Sequence, residues 1–287
     1  KQLQEALRRG HDVQLHLHPQ WDGASLDNDG GWRLSSDRYR MGDLSYEDAE
    51  RLLQQGKTWL EETVRPTKPE YQCLAFRAGG WCIQPAANTL KALRNFGFRL
   101  DTTVCPGLTN PAPATWFDFR KAPTMPFWYA QTDIWSAEEQ QNSILELPIA
   151  TARVPLHQHV LHLVRKKIRG CDKNLAPGCC GYYGKLSDKA SSRLTTKLRR
   201  IRNLGRVMLD FSGLPARINS CIIDQWQQNM GADSGVLPIV GIAHTKNFSV
   251  GAESEFAELL KILRDQPYNG FCTISELSNG YHNSAGQ

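Results

Sequence analysis

No run of apolar residues in this chain of 287 approaches the ~20 that a bilayer-crossing helix needs, so no transmembrane segment is expected. No Cys-x-x-Cys pair occurs among its eight cysteines, at positions 73, 82, 105, 171, 179, 180, 221 and 272. Their spacing is not that of a disulfide framework, and Cys73 and Cys272, set in apolar runs, read as buried thiols. Cys171 with Cys179 and Cys180 is the one cluster, and no neighbouring His or Cys completes a familiar zinc spacing around it. There is no internal repeat, no low-complexity tract and no Gly-rich phosphate loop, which argues against a repeat array and against a phosphate-cradling nucleotide site. One-sided charge is scarce as well. The net charge of +5 is too mild for a nucleic-acid footprint, and no nucleic-acid partner is expected.

A signal peptide is also missing, but the chain does not begin with Met. Residues 1–9 read as an amphipathic helix with Leu3, Ala6 and Leu7 on one face and Gly10 as its stop, so material upstream is expected. A soluble protein is expected; its compartment stays open, with the cytoplasm favoured slightly over the periplasm. A hydrophobic content of 40% and a charged content of 22% are those of an ordinary globular domain. The length is that of a single α/β barrel, and residues 1–287 are read as one catalytic-type domain.

What is present is organised around Gly10-His11-Asp12-Val13-Gln14-Leu15-His16-Leu17-His18-Pro19. Val13, Leu15 and Leu17 alternate with Gln14, His16 and His18. This period of two predicts a strand with imidazoles on one face. Pro19 has no N–H for a ladder and ends it. His16 and His18 therefore leave the C-terminal end of a strand on the same side, where α/β folds place their chemistry. Two readings of the pair stay open: the start of a Zn²⁺ site, or two imidazoles satisfied by ordinary hydrogen bonds.

The rest alternates strand and helix. A loop over 22–42 offers Trp21 and Trp32 as cleft-lining rings. A helix follows from Ser45, its N-cap, with acidic residues in its first turn and an end at Pro66. A short buried strand over 73–76 runs into Arg77-Ala78-Gly79-Gly80-Trp81. Its glycines permit close backbone approach and its Arg suits a carboxylate. A helix over 85–96, a strand over 98–103 carrying Asp101, and an irregular insertion over 108–143 come next. Strands are expected over 144–149, 206–211, 236–243 and, closing the fold, 271–274. Helices are expected near 218–226 and over 253–264. His157, His159 and His162 fall in an apolar stretch and read as surface imidazoles of a helix, or as a second metal site. The basic helix 187–204 reads as a solvated face or as a contact for an anionic ligand. The alternation predicts a parallel α/β, barrel-like domain, with His16, His18, Arg77, Asp101 and His244 at strand ends that share one mouth.

In this order the motifs resemble the polysaccharide deacetylase family, the NodB-homology carbohydrate esterases. Gly10-His11-Asp12-Val13 with His16-x-His18 is similar to its metal-binding motif. Phe76-Arg77-Ala78-Gly79-Gly80-Trp81 is similar to its groove motif, and Ile242-Ala243-His244 to its late motif. The likeness runs from residue 10 to about 277 and implies a distorted (β/α) barrel. It also implies a zinc-dependent hydrolase of carbon–nitrogen, non-peptide bonds that deacetylates N-acetylated sugars in a polysaccharide or glycolipid. By this resemblance His16 and His18 hold Zn²⁺ or another divalent transition metal, and His244 protonates the leaving amine. Arg77 orients the general base, and Gly79, Gly80 and Trp81 line the substrate groove. Ile242 lines the pocket for the acetyl methyl, and Asp101 steadies Arg77 or His244 from behind. Two features depart from the pattern. The family spaces its histidines four apart, and Gln20 stands four after His16. The family's acidic pair, which supplies the base and a third ligand on a first strand, is absent. That strand is expected upstream, and the 287-residue chain by itself is expected to be inactive. The alternative is a glycan-binding module on the same fold that has lost catalysis. A glycosidase would need two flanking carboxylates, for which Asp101 and Asp210 are the candidates.

Overall fold

The computed structural model describes residues 1–28, 30–135, 143–155, 157, 205–231, 236–245, 248–266 and 269–278. The readings at His159 and His162, at the 171/179/180 cysteines and over the basic segment 187–204 lie outside these residues.

The chain enters through α1 (Gln2–Arg8) and turns into β1 (Leu15–Leu17). Leu15 is buried and His16 exposed, as the period of two requires. The loop that follows carries the short hairpin β2 (Ser25–Leu26) and β3 (Trp32–Arg33). It is tied to the next helix by Arg51, which donates to Asp22 and to Asp48. That helix is α2 (Tyr46–Val64), opened by Ser45, whose hydroxyl accepts from the Asp48 N–H at 3.1 Å. Its buried stripe of Ala49, Leu52, Leu53, Leu60 and Val64 follows the 3.6-residue period. Each buried Leu contributes ~1.5–3 kcal/mol, which is why α2 stays on the sheet.

Next come β4 (Ala75–Ala78), α3 (Ala87–Asn95) and β5 (Leu100–Asp101). β6 (Thr109–Asn110) and β7 (Phe117–Asp118) pair as an antiparallel hairpin. β8 (Trp128–Ala130) and β9 (Ile144–Glu146) complete a five-stranded sheet of order β1-β4-β5-β9-β8. β1, β4, β5 and β9 run parallel and β8 is antiparallel to β9. The sequence reading set 108–143 aside as an insertion over one face. The structure instead builds β8 into the sheet, with Phe119, Trp128 and Ile134 fully buried. Their apolar rings and side chains are worth more inside than out.

The later part of the chain forms a second apolar cluster. β10 (Thr151–Arg153) and β11 (Arg206–Met208) are antiparallel. They pack with α4 (Ala216–Met230) and α5 (Val250–Arg264) around Leu209, Ile222, Trp226 and Leu259. Two expected strands are corrected. Over 236–243 there are only isolated parallel bridges, Ile149 with Val240 and Asp210 with Ile242. Pro238 interrupts the run and cannot donate to a ladder. Residues 271–273 are not a strand, and 274–278 are helical. The reason is a capping box, Thr273-x-x-Glu276. The Glu276 carboxylate accepts from the Thr273 N–H at 2.7 Å, and the Thr273 hydroxyl accepts from the Glu276 N–H at 3.1 Å. Among the described residues the fold is thus a mixed α/β one with a parallel sheet and covering helices. No described helix is long and apolar enough to cross a membrane.

Candidate functional site

Parallel pairing aligns His16 with Arg77 and Leu17 with Ala78. That register brings the His16 Nδ1 to 3.0 Å from the Arg77 carbonyl. A carbonyl only accepts, so Nδ1 carries the proton and the ring's lone pair lies on Nε2. The His18 ring meets His16 edge-on at 4.7 Å between centroids, with the two Nε2 atoms 3.0 Å apart. Two nitrogens bound to one tetrahedral Zn²⁺ at ~2.0–2.1 Å would lie ~3.3 Å apart. The pair is therefore within a few tenths of an ångström of a two-ligand arrangement, and its donor atoms fit such a metal. Among the described residues no group of three or more His, Cys, Asp or Glu is arranged to hold a metal ion.

The position four after His16 holds a different device. Gln20 is 5% exposed, its Nε2 lies 3.1 Å from the His18 Nδ1, and its Oε1 is buried without a partner among the described residues. With the amide in this orientation, Gln20 donates to His18, and the His18 Nε2–H donates to the His16 Nε2. Turned over, the same amide accepts from the His18 Nδ1–H and leaves the lone pair on the His18 Nε2. Either way Gln20 acts on His18 rather than replacing a ligand.

The turn after β4 closes on this pair. A Cβ at Gly79 would stand 2.5 Å from the His18 Cγ and Nδ1, so only glycine lets the imidazole lie there. Gly80 and Trp81 are both left-handed, with φ +61° and +62°. Trp81 in that region is strained by ~1–3 kcal/mol. The conformation sets its ring 6.0 Å from His244, nearly perpendicular to it, and also 6.0 Å from Phe117. His244 is held through its backbone N–H, which donates to the Ser212 hydroxyl at 3.0 Å. That hydroxyl donates to Asp210 at 2.7 Å. The His244 Nδ1 is buried and has no hydrogen-bond partner among the described residues. Ile242, two residues earlier, is buried in the core.

Arg77 is clamped through Nε, which donates to the Thr102 carbonyl at 3.0 Å and to the Thr102 hydroxyl at 2.8 Å. Among the described residues its guanidinium has no carboxylate ion pair. Burial holds its pKa below the usual arginine range, and the nearby Cys105, Asp101 and Glu146 act against that shift. Asp101 sits one residue before Thr102 and is aligned with Glu146 of β9. Both carboxyls have no solvent exposure, and burial raises the pKa of each.

Of the sequence-predicted residues, the structure puts His16 and His18 in direct contact, Arg77 beside them in register and Gly79 against His18. It places Trp81 between Gly80 and His244, and Asp101 behind Arg77 on the next strand. Asp210 accepts from the backbone N–H groups of Ser212 and Gly213 as well as from the Ser212 hydroxyl. All three of these bonds go to the Asp210 Oδ1, while Asp101 has no solvent exposure. Glu146, Thr102 and Ser212 were missed from sequence, and Gln20 stood there only as a departure from the family's spacing. Only Glu146 carried a signal, a charged residue between Leu145 and Leu147 in an apolar strand. The exposed Trp21 and Trp32 do meet, at 5.6 Å between centroids, beside the turn that follows His18. No protein-family model matches the chain, and neither the curated proteins nor the solved structures contain a match to it.

Proposed function

We propose that this chain is a metal-dependent hydrolase of the polysaccharide deacetylase type. It removes acetyl groups from N-acetylated sugars of a polysaccharide or glycolipid on a distorted (β/α) barrel. The observation that carries the reading is the His16–His18 pair, whose Nε2 atoms lie 3.0 Å apart while the Arg77 carbonyl fixes the His16 tautomer. These two side chains would hold Zn²⁺ or a similar divalent ion. When bound, such an ion polarises an acyl oxygen and lowers the pKa of water towards ~7.

Further roles fall to residues of this chain, and none is that of the general base that takes the proton of the attacking water. His244 delivers a proton to the departing amine nitrogen, a general-acid step worth ~10²–10⁴ in rate. Trp81 and the glycines before it form one wall of the groove and keep water from the His244 ring. Arg77, fixed at Nε by Thr102, presents its remaining N–H donors to an acidic partner or an acyl oxygen. The second reading is a glycan-binding module, favoured by the altered histidine spacing, with Gln20 standing four after His16.

The test is calorimetric titration of acetylated chito-oligosaccharides with and without zinc, run alongside acetate release. Zinc-dependent binding or turnover that disappears in His16→Ala supports the deacetylase. Sugar binding indifferent to zinc and to His16→Ala selects the module. No binding and no turnover under any condition refutes both.

A further inference from the structure

The Asp101 and Glu146 carboxyls face one another across β5 and β9 and are engaged with each other. Each has one oxygen satisfied. The Thr103 hydroxyl donates to the Asp101 Oδ1 at 2.6 Å, and the Val104 N–H donates to the Glu146 Oε1 at 3.0 Å. Each also has one oxygen, Oδ2 of Asp101 and Oε2 of Glu146, buried with no hydrogen-bond donor among the described residues. Two ionised carboxylates cannot sit side by side in a fully buried site, and two acceptors cannot satisfy each other. One proton between the two orphan oxygens resolves both problems at once.

The pair is not isolated from the site. The Thr103 hydroxyl that donates to Asp101 also accepts from the Ala78 N–H at 2.9 Å. Ala78 opens the turn whose Gly79 abuts His18 and whose Trp81 meets His244. The charged or titratable groups acting on the pair are Arg77 of β4 and Cys105 just beyond β5. Arg77 favours a remaining negative charge.

We propose that Asp101 and Glu146 share a single proton, and that this pair is the anchor which positions the 78–81 turn through Thr103. Glu146 is then a positioning residue of the cleft. Its bearing on deacetylation rests on the function proposed above, but the anchor itself can be tested without substrate or metal. Infrared difference spectra of the 287-residue chain at neutral pH report the protonated-carboxyl stretch. Hydrogen exchange reports the Ala78 amide.

Wild type shows the protonated-carboxyl band. Glu146→Gln loses it, because the new amide N–H replaces the shared proton and Asp101 stays ionised. The Ala78 amide stays protected in that variant. In Thr103→Val the band remains and Ala78 protection falls by about tenfold, the loss of one buried hydrogen bond. Glu146→Leu lowers the Ala78 protection, because the pair that anchors Thr103 is gone; if it does not fold, Thr103→Val and Glu146→Gln still decide. No band in wild type, a band that survives Glu146→Gln, or full Ala78 protection in Thr103→Val overturns the proposal.

Discussion

Replacing Gly79 by Ala tests the cleft at its tightest contact. The added Cβ would stand 2.5 Å from the His18 Cγ and Nδ1 and 2.8 Å from the Leu17 carbonyl oxygen. Carbon atoms settle at ~3.5–4.0 Å, so the imidazole must withdraw by about 1 Å. Gly79 is not left-handed, unlike Gly80, so the backbone itself accepts alanine and the effect is steric. Overpacking of this kind costs ~1–3 kcal/mol. In a domain of this size that lowers the melting temperature by roughly 2–4 °C for each kcal/mol. The chemical consequence is larger than the loss of stability. A displacement of that size is larger than the few tenths of an ångström that separate the 3.0 Å Nε2 spacing from the ~3.3 Å that two zinc-bound nitrogens span, so it disrupts the two-ligand geometry. Zinc affinity should fall by ~10–100-fold, the range seen when a ligand loses its support. The assay pairs thermal unfolding with competition against a chromophoric zinc chelator. Gly80→Ala is the comparison: at φ +61° it adds ~1–2 kcal/mol of backbone strain, and its Cβ would stand 3.1 Å from the Tyr39 ring rather than against His18 itself. If Gly79→Ala binds zinc as tightly as wild type, His18 is not held by this contact and the two-ligand geometry is wrong.

Three further outcomes are expected. Gln20→Leu removes the polar contact to the His18 Nδ1 at little change in volume. It should weaken zinc binding by ~10-fold or more while shifting the melting temperature little; unchanged affinity would mean that Gln20 does not orient His18. The raised pKa values of Asp101 and Glu146 mean that the folded chain keeps a proton which the unfolded chain releases near pH ~4. Their contribution to stability is therefore full below that value and is lost as pH rises through the folded-state value, at up to ~1.4 kcal/mol per pH unit. Urea unfolding of wild type and Glu146→Gln should show a stability difference that declines from about pH 5 to pH 8; a flat difference contradicts a retained proton. Thr273→Ala should cost ~1 kcal/mol by removing the cap of the helix over 274–278, read as faster amide exchange confined to that segment.

The elements whose signals are local were legible in the sequence. The alternation of Leu15, His16 and Leu17 predicted β1 and the shared side of the two imidazoles. Ser45 and the apolar stripe predicted α2. The same kind of local signal, Thr273-x-x-Glu276, was present but was overridden by the apolar look of Phe271, Cys272 and Ile274, and a strand was expected where a capped helix stands. Pro238 likewise warned against a full strand over 236–243.

What no local pattern carries is which strand lies beside which, and in what register. The sequence determined by itself that His16 and His18 share a face, because strand periodicity is a property of neighbouring residues. Only the tertiary structure decided that the Arg77 carbonyl fixes the His16 tautomer, because those residues meet through parallel pairing across 61 positions of chain. It alone aligned Asp101 with Glu146 and brought the 128–130 strand into the sheet. Burial and pairing turn an ordinary Glu in an apolar run into a carboxyl that keeps its proton. Both depend on contacts between segments far apart in the chain, whereas period, caps and breakers act over a few residues.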